Sequence, residues 1–327
     1  MKILLTGASG LLGHNVLRRM VDEGHEVVAL VRRPDAVRLE GGRWQTIVGE
    51  LTDYNTLVSA AKGCEALVNC AGVTDMSLLK YEDYLPVNRD LCGMLTKVME
   101  SHGISTLVHV STVNTIGCGM PEHPSDEQAP MTAPFKGTYY AESKREGEKI
   151  LLDYAEAHPE GHVVVINPGY RIGPYDVKPS SGRMLLAAFR KPLMVAVHGG
   201  KCFVPAIDVA AAVAQALTRG ENGQRYIITG KDGCLGMSEL YALQAKTMGY
   251  RQRVIVLPDW IVRLAGRIGD VLRAAGVKSE LSTANVCQLL TREYYDNSHG
   301  ICDLAYNQTT IERAITDFYQ WRNIIKS

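Results

Sequence analysis

Several things are missing from this 327-residue chain. It has no net charge, since 35 Lys and Arg stand against 35 Asp and Glu. There is therefore no overall field to gather nucleic acid or acidic lipid, and a polyanion would need a local basic patch. No stretch approaches the roughly 20 uninterrupted apolar residues that a bilayer-crossing helix requires. The apolar run at the start, Ile3-Leu4-Leu5, stops far short of the h-region of an export signal and reads as a first strand. The eight cysteines fall singly, with no CxxC pair and no histidine at ligand spacing, so no metal site is expected. Reduced thiols and a cytoplasmic location are the expectation for such a chain. Internal repeats and low-complexity tracts are absent too. What is present is an ordinary globular composition, 46% apolar and 21% charged, with length for about two domains at roughly 150 residues each. The expected ligand is a small molecule, with neither nucleic acid nor membrane as partner.

Short β-branched runs alternate with longer segments of helical period, the pattern of a parallel sheet covered by helices on both faces. Lys2–Thr6, Glu26–Val31, Gln45–Val48, Ala66–Asn69, Thr106–Val110 and Val163–Asn167 read as successive strands, with Arg225–Ile228 as a seventh. Leu11–Glu23, Tyr54–Ala61, Arg89–His102, Tyr139–His158 and the alanine-rich Ile207–Thr218 read as helices. The predicted fold class is α/β, a Rossmann-type doubly wound parallel sheet of about seven strands with a smaller, mainly helical substrate-capping domain. Two proline-bearing stretches, 117–137 and 173–201, are predicted to be irregular, the first a long loop of the kind that closes over a site. Beyond residue 230 the alternation stops. We expect residues 1–172 to bind the nucleotide, with 203–230 and about 291–300 returning to them, and 173–202 and 231–327 to form the cap.

Gly7-Ala8-Ser9-Gly10-Leu11-Leu12-Gly13 lies between the first strand and its helix. A dinucleotide needs glycine there for a tight turn, for backbone approach to the pyrophosphate and for helix–strand packing, while the helix N-terminus supplies N–H groups and positive dipole. At the end of strand two, where an acid would hold the adenosine ribose 2′-hydroxyl, stand Arg32-Arg33-Pro34. Two guanidinium groups suit a 2′-phosphate, so NADP(H) is the expected cofactor and NAD(H) the alternative.

Tyr140 and Lys144, four residues apart, share one face of a helix. A nearby ammonium lowers the pKa of a phenol, about 10 when free, toward a usable acid–base value. Strand five ends in Val110-Ser111-Thr112-Val113-Asn114. That places hydroxyls at the carboxyl edge of the sheet, where folds of this kind bind ligands.

Together these segments resemble the extended branch of the short-chain dehydrogenase/reductase superfamily, the NAD-dependent epimerase/dehydratase family, over almost the whole chain. Thr6–Gly13 is similar to its TGxxGxxG, Gly49–Asp53 to its GDLTD, Asn69–Gly72 to its NNAG, Val87-Asn88 to its VNxxGT, Asn167–Pro174 to its RPxxVYGP and Phe203–Ala210 to its FVHVDDVA. The resemblance implies that Tyr140 is the acid–base and that Lys144 orients the nicotinamide ribose. Thr112 is the implied catalytic hydroxyl, with Ser111 as the alternative. Glu50 and Leu51 are placed by the adenine, and Cys70, Ala71 and Gly72 on the adenosine side. Pro168, Gly169 and Ile172 pass the nicotinamide amide, and Asn88 and Val110 complete the cofactor set. Val73, Asn114, Tyr170, Tyr175 and Met184 are the substrate candidates. Glu50 stands for the usual Asp and Asn167 for the usual Arg, and Tyr170-Arg171 sit where substrate or amide contacts are expected.

Gly173–Ser180 resembles the GPxDxKP segment of dihydroflavonol 4-reductase and related bacterial proteins, and Tyr294–Ser298 their YYD segment. The expected activity is thus NADP(H)-dependent reduction of a small-molecule carbonyl to an alcohol. The alternatives are an epimerase or dehydratase that holds a nucleotide-sugar diphosphate with Lys178, Arg183, Arg190 and Lys191, and, behind that, an NADP-sensing regulator. The resemblance also implies a homodimer through 89–102 and 139–158.

Overall fold

The computed structural model describes residues 1–177 and 179–325. In chain order its elements are β1 (Lys2–Thr6), α1 (Leu11–Asp22), β2 (Glu26–Val31), β3 (Trp44–Val48), α2 (Tyr54–Ala60), β4 (Ala66–Asn69), α3 (Leu91–His102), β5 (Thr106–Val110), α4 (Tyr139–Ala157), β6 (His162–Pro168) and β7 (Tyr170–Ile172). There follow α5 (Gly182–Ala188), β8 (Leu193–Ala196), β9 (Gly200–Pro205), α6 (Ala206–Gln215), β10 (Gln224–Ile228), β11 (Cys234–Gly236), α7 (Met237–Thr247), β12 (Arg253–Val256), α8 (Asp259–Ala274), α9 (Thr283–Leu290), α10 (Ser298–Leu304) and α11 (Ile311–Trp321).

Seven parallel strands form the central sheet in the order β10-β6-β5-β4-β1-β2-β3. The alternation of apolar side chains explains why both faces carry helices. Ile3, Leu5, Val27 and Ala29 point into one core with α1 and α6. Leu4, Val28 and Leu30 point into the other with α2 and α3. Strand order reverses between β1 and β4, and a crevice opens at their carboxyl ends, the topological switch point where such sheets take ligands.

The seven strands match the sequence reading to within a residue or so. Elsewhere the structure corrects it. Residues 173–201 are not wholly irregular: they contain α5 and β8, and the tail contains β11 and β12. These pieces are too short to show a period, and β8 becomes a strand by pairing with β12, far along the chain. The helix expected from Arg89 is entered through a π-type turn at Pro86–Asp90. The cysteines are not all free thiols, because Cys202 and Cys234 are joined across the antiparallel β9–β11 pair. A third core, built on Phe203, Leu240, Ile315, Phe318 and Tyr319, packs α5, α7 and α11 over the carboxyl side of the sheet. α10 returns to lie against β10 and α6.

Candidate active site

The turn after β1 shows why glycine is required at two of its positions. Gly7 has φ +76°, and a Cβ there would sit 2.6 Å from the Ala71 nitrogen. At Gly13 a Cβ would lie 2.0 Å from the Gly7 carbonyl oxygen, so α1 could not settle on the turn. Gly10 differs: its Cβ would meet only the Gly7 oxygen, at 3.5 Å. The protein itself does not demand glycine there, which leaves an open cradle for a ligand's close approach. No side chain caps α1 and its first turn holds no acid. The N–H groups of that turn have no partner within the helix and attract an anion. A dinucleotide pyrophosphate fits these features.

From this cradle runs one cleft of about 870 Å³. Gly7, Ser9, Gly10, Leu11, Leu12 and Gly13 line its floor; Arg32, Arg33, Glu50 and Leu51 its outer end; Cys70, Ala71, Gly72 and Val73 its middle; and Val110, Ser111, Tyr140 and Lys144 its inner end. Arg171, Asp176, Val177 and Ser180 close the far wall.

At the inner end the Tyr140 phenol lies beside the Thr112 hydroxyl. Burial pushes the phenol above its ordinary pKa, and the Arg171 guanidinium, followed by the Thr112 hydrogen bond, pulls it back. Arg171 is thus a cation that favours the phenolate, a role the sequence reading did not give it. Lys144 is turned to the strand instead: its Nζ donates to the Val110 carbonyl at 2.8 Å and faces His109 Nε2 at 3.3 Å. Asn69 fixes the histidine tautomer. Its Oδ1 accepts from Thr6 Oγ1 at 2.6 Å and from the Ala71 N–H at 3.1 Å, so its amide NH₂ meets His109 Nδ1 at 3.0 Å. Nδ1 is therefore the acceptor, and Nε2 carries the proton that faces the lysine. Burial lowers the Lys144 pKa, and the Arg171 charge acts in the same direction. Burial, then the Lys144 charge, likewise keeps His109 neutral.

Behind the site a buried network fixes the backbone. Asn167 Nδ2 donates to the Thr112 carbonyl at 3.0 Å, the Thr115 hydroxyl at 3.0 Å and Glu148 Oε1 at 2.7 Å. Glu148 also accepts from Thr115 and lies 3.6 Å from the Arg225 guanidinium. This accounts for asparagine in place of the usual arginine: the side chain braces the turn that carries Thr112. Ser111 lines the cleft, and its hydroxyl is buried without a partner among the described residues, so it is available to a bound carbonyl.

Several expected site residues lie elsewhere. Asn88 is buried behind the wall, where its amide clamps Val73 N–H and C=O at 2.8 and 3.0 Å and holds Ser143 Oγ at 3.0 Å. Pro168 is the last residue of β6, paired with Ile228. Gly169 is pressed against the Cys202 carbonyl, and Ile172 belongs to the third core. Tyr175 leaves the cleft: at φ +71° its ring turns back onto α1, stacked on His14 with centroids 4.0 Å apart. Tyr170 stands edge-on to Phe203, Met184 packs on the third core, and the Asn114 N–H caps Thr112 Oγ1 at 3.3 Å; none of the three lines the cleft. Among the residues proposed for a diphosphate, Arg183 is paired with Glu280 at 2.8 Å and Arg190 lies over the Phe189 ring. Lys178 lies outside the described residues. Sequence reasoning did not single out His109 or Asp176. His109 is a lone polar residue in the strand Thr-Leu-Val-His-Val, a signal in itself because a buried polar group needs a partner. Asp176 accepts from the Ser180 and Gly182 N–H groups and shapes the far wall.

The sequence profile of the NAD dependent epimerase/dehydratase family matches residues 3–230. The chain belongs to that family. It is therefore an NAD(P)-dependent enzyme of the extended short-chain dehydrogenase/reductase type. This epimerase/dehydratase-family member is 30% identical over 260 residues to "Sterol demethylase protein B" of Methylococcus capsulatus, covering 79% of this chain and 78% of that one. It is 27% identical to the "Putative dihydroflavonol 4-reductase" of Synechocystis sp., over 97% of this chain and 93% of the relative. Among solved structures, that of gox2253 superposes with a TM-score of 0.82 at 25% identity, over 98% of both chains.

Proposed function

We propose that the protein is an NADP(H)-dependent reductase that converts the carbonyl of an apolar small molecule to an alcohol. The observation that carries this reading is the continuous cleft, with Arg32 and Arg33 at one end and Ser111, Tyr140 and Lys144 at the other, Thr112 lying behind the tyrosine and outside the cleft lining. Arg32 and Arg33 would grip the 2′-phosphate, the first turn of α1 the pyrophosphate, and Lys144 the nicotinamide ribose. When bound, the dihydronicotinamide supplies a hydride to the carbonyl carbon. Ser111 holds the carbonyl oxygen by a hydrogen bond, Thr112 steadies the phenol, and Tyr140, kept protonated at neutral pH by its burial, delivers the proton to the oxygen as negative charge develops there. Val73 and the cap side of the cleft receive the rest of the substrate. An apolar substrate is supported by the sterol in the name of one relative and the farnesyl-bearing quinoline oxide in that of another, a ketoreductase from Stigmatella aurantiaca 29% identical over 83% of this chain and 80% of that one.

To the same proposal belong the division into a nucleotide-binding part (1–172, 203–230 and about 291–300) and a cap (173–202 and 231–327), a cytoplasmic location and a homodimer through α3 and α4. The test is NADPH oxidation at 340 nm over ketones and aldehydes of increasing apolarity, with Tyr140→Phe as control. Tyr140-dependent turnover, with NADPH bound more tightly than NADH, is expected. Equal affinity for the two cofactors would refute the assignment of Arg32 and Arg33. Conversion of a nucleotide-sugar with no net NADPH oxidation would replace the reductase by an epimerase, and a biological readout untouched by Tyr140→Phe would leave a cofactor sensor.

A further inference from the structure

α8 is an inverted amphipathic helix. Its buried face consists of Val262, Gly266 and Gly269. The two glycines let it lie almost backbone to backbone on the α9 region, since a Cβ at Gly269 would sit 2.2 Å from the Leu281 carbonyl and one at Gly266 would sit 3.1 Å from Val286 Cγ2. The large apolar residues face the other way. Trp260, Leu264, Ile268 and Val271 follow at spacings of one turn, with Trp260 67% and Val271 71% exposed, and Leu272, Val277 and Leu281 extend the patch. A helix on a water-soluble surface normally buries such a stripe. The ribbon that leads into α8 repeats the theme, with Leu193, Val195 and Ile255 exposed on the β8–β12 pair.

The charges decide what covers this face. Arg263 and Arg267 flank the stripe, exposed, and make no ion pair among the described residues. The helix's two acids are hydrogen-bonded toward its ends, Asp259 with His198 at 2.7 Å and Asp270 with the Thr283 N–H at 3.0 Å and its hydroxyl. Arg251, Arg253 and Lys278 add positive charge nearby. With Arg251, Arg253, Arg263, Arg267 and Lys278 against Asp259 and Asp270, the face is net positive, and a second copy docked on it would bring like charge to like. Anionic headgroups with acyl chains beneath them satisfy both the arginines and the apolar stripe, with an interfacial tryptophan as anchor. At its far end Arg273 donates to the carbonyls of Met76, Ser77 and Leu78, at 2.7 Å for Leu78, and so ties α8 to the loop whose first residues, Val73 and Thr74, line the cleft.

We propose that α8 docks the enzyme on the surface of an anionic lipid bilayer, beside the entrance to its cleft. No described helix is long and apolar enough to cross a membrane, and the binding meant here is peripheral. It supplies the local basic patch that a neutral chain needs to meet acidic lipid, and so revises the expectation of no membrane partner.

The test is sedimentation of the full chain with phosphatidylcholine vesicles, with and without 30% phosphatidylglycerol. Binding to the anionic vesicles that weakens with salt is expected. Arg263→Gln with Arg267→Gln should lower that partitioning roughly 30-fold. Leu264→Glu with Ile268→Glu should abolish it, while tight NADPH binding by both variants shows that they are folded and that the cleft is intact. Failure of the chain to bind anionic vesicles, or binding unchanged in both variants, overturns the proposal. So does a vesicle-inert wild type whose sedimentation coefficient falls from dimer to monomer on Leu264→Glu with Ile268→Glu, which would assign the face to a second copy. The outcome does not depend on which substrate is reduced.

Discussion

Protonation of His14 should loosen the cofactor side of the cleft. The imidazole sits on α1, buried, stacked 4.0 Å from the Tyr175 ring, with its Nε2 lacking a partner among the described residues. Burial, and then the nearby Arg18 charge, lower its pKa from 6.5 to about 4. A histidine whose folded pKa is depressed contributes stability that is complete above its unfolded pKa and is lost as pH falls toward and through the folded value. With about 1.4 kcal/mol per pKa unit, the gap corresponds to about 3 kcal/mol lost between pH 7 and pH 4. His14→Phe keeps a ring against Tyr175, removes the unpaired nitrogen and cannot titrate. Urea unfolding of both proteins at half-unit steps from pH 7 to pH 4 isolates the effect, because every other group titrates alike in the two. The wild type should lose about 3 kcal/mol more than the variant, with equal m values. Coincident pH profiles would refute the reasoning. Since Tyr175 leads directly into Asp176 and Val177 at the cleft wall, dinucleotide affinity of the wild type should fall over the same pH range, and that of His14→Phe should fall less.

Two further predictions concern the ends of the cleft. Gly13→Ala sets a Cβ 2.0 Å from the Gly7 carbonyl, a contact only backbone movement relieves, so dinucleotide binding should vanish and the thermal midpoint fall, as read by fluorescence titration and calorimetry; unchanged NADPH affinity would sink the account of that packing. Tyr140 has a raised pKa that Arg171 opposes, so Arg171→Gln should raise it further. Carbonyl reduction, which uses the phenol, should then hold to higher pH, whereas alcohol oxidation, which uses the phenolate, should move its rise to higher pH. Overlapping pH profiles for the two proteins would show that Arg171 does not act on the phenol.

The central sheet was legible because most of its strands are apolar on both faces and β1, β3, β4 and β5 each lead into a helix, a local signal repeated along the chain. The glycine turn and the Tyr140–Lys144 spacing were legible for the same reason: both are short-range patterns. What escaped depends on partners distant in sequence. Whether Tyr175 faces the cleft or α1 is decided by a left-handed backbone at that residue, which nothing in Gly-Pro-Tyr-Asp requires. Met184 is apolar in either position, and only the packing of α5 on α7 and α11 sends it into the cap core. The Cys202–Cys234 link follows from the pairing of β9 with β11, a three-residue strand too short to announce a partner. The turn of the Lys144 ammonium toward β5 rests on His109 and Asn69, which come from two different strands.

The order of strands also bears on how the chain is made. β10 is the edge strand beside β6, and it is the last of the seven to be synthesised, with β7, α5, β8, β9 and α6 lying between them in sequence. On the ribosome, six strands are complete while the open flank of β6, apolar from Val163 to Ile166, still waits for its neighbour. At 5–20 residues per second the interval lasts roughly 3–12 s. During that time an unpaired strand edge is a template for any other extended chain. The nascent enzyme therefore passes through a stage in which its most vulnerable surface belongs to the cofactor half, and a chaperone that binds extended apolar segments should crosslink there between release of residue 168 and release of residue 228.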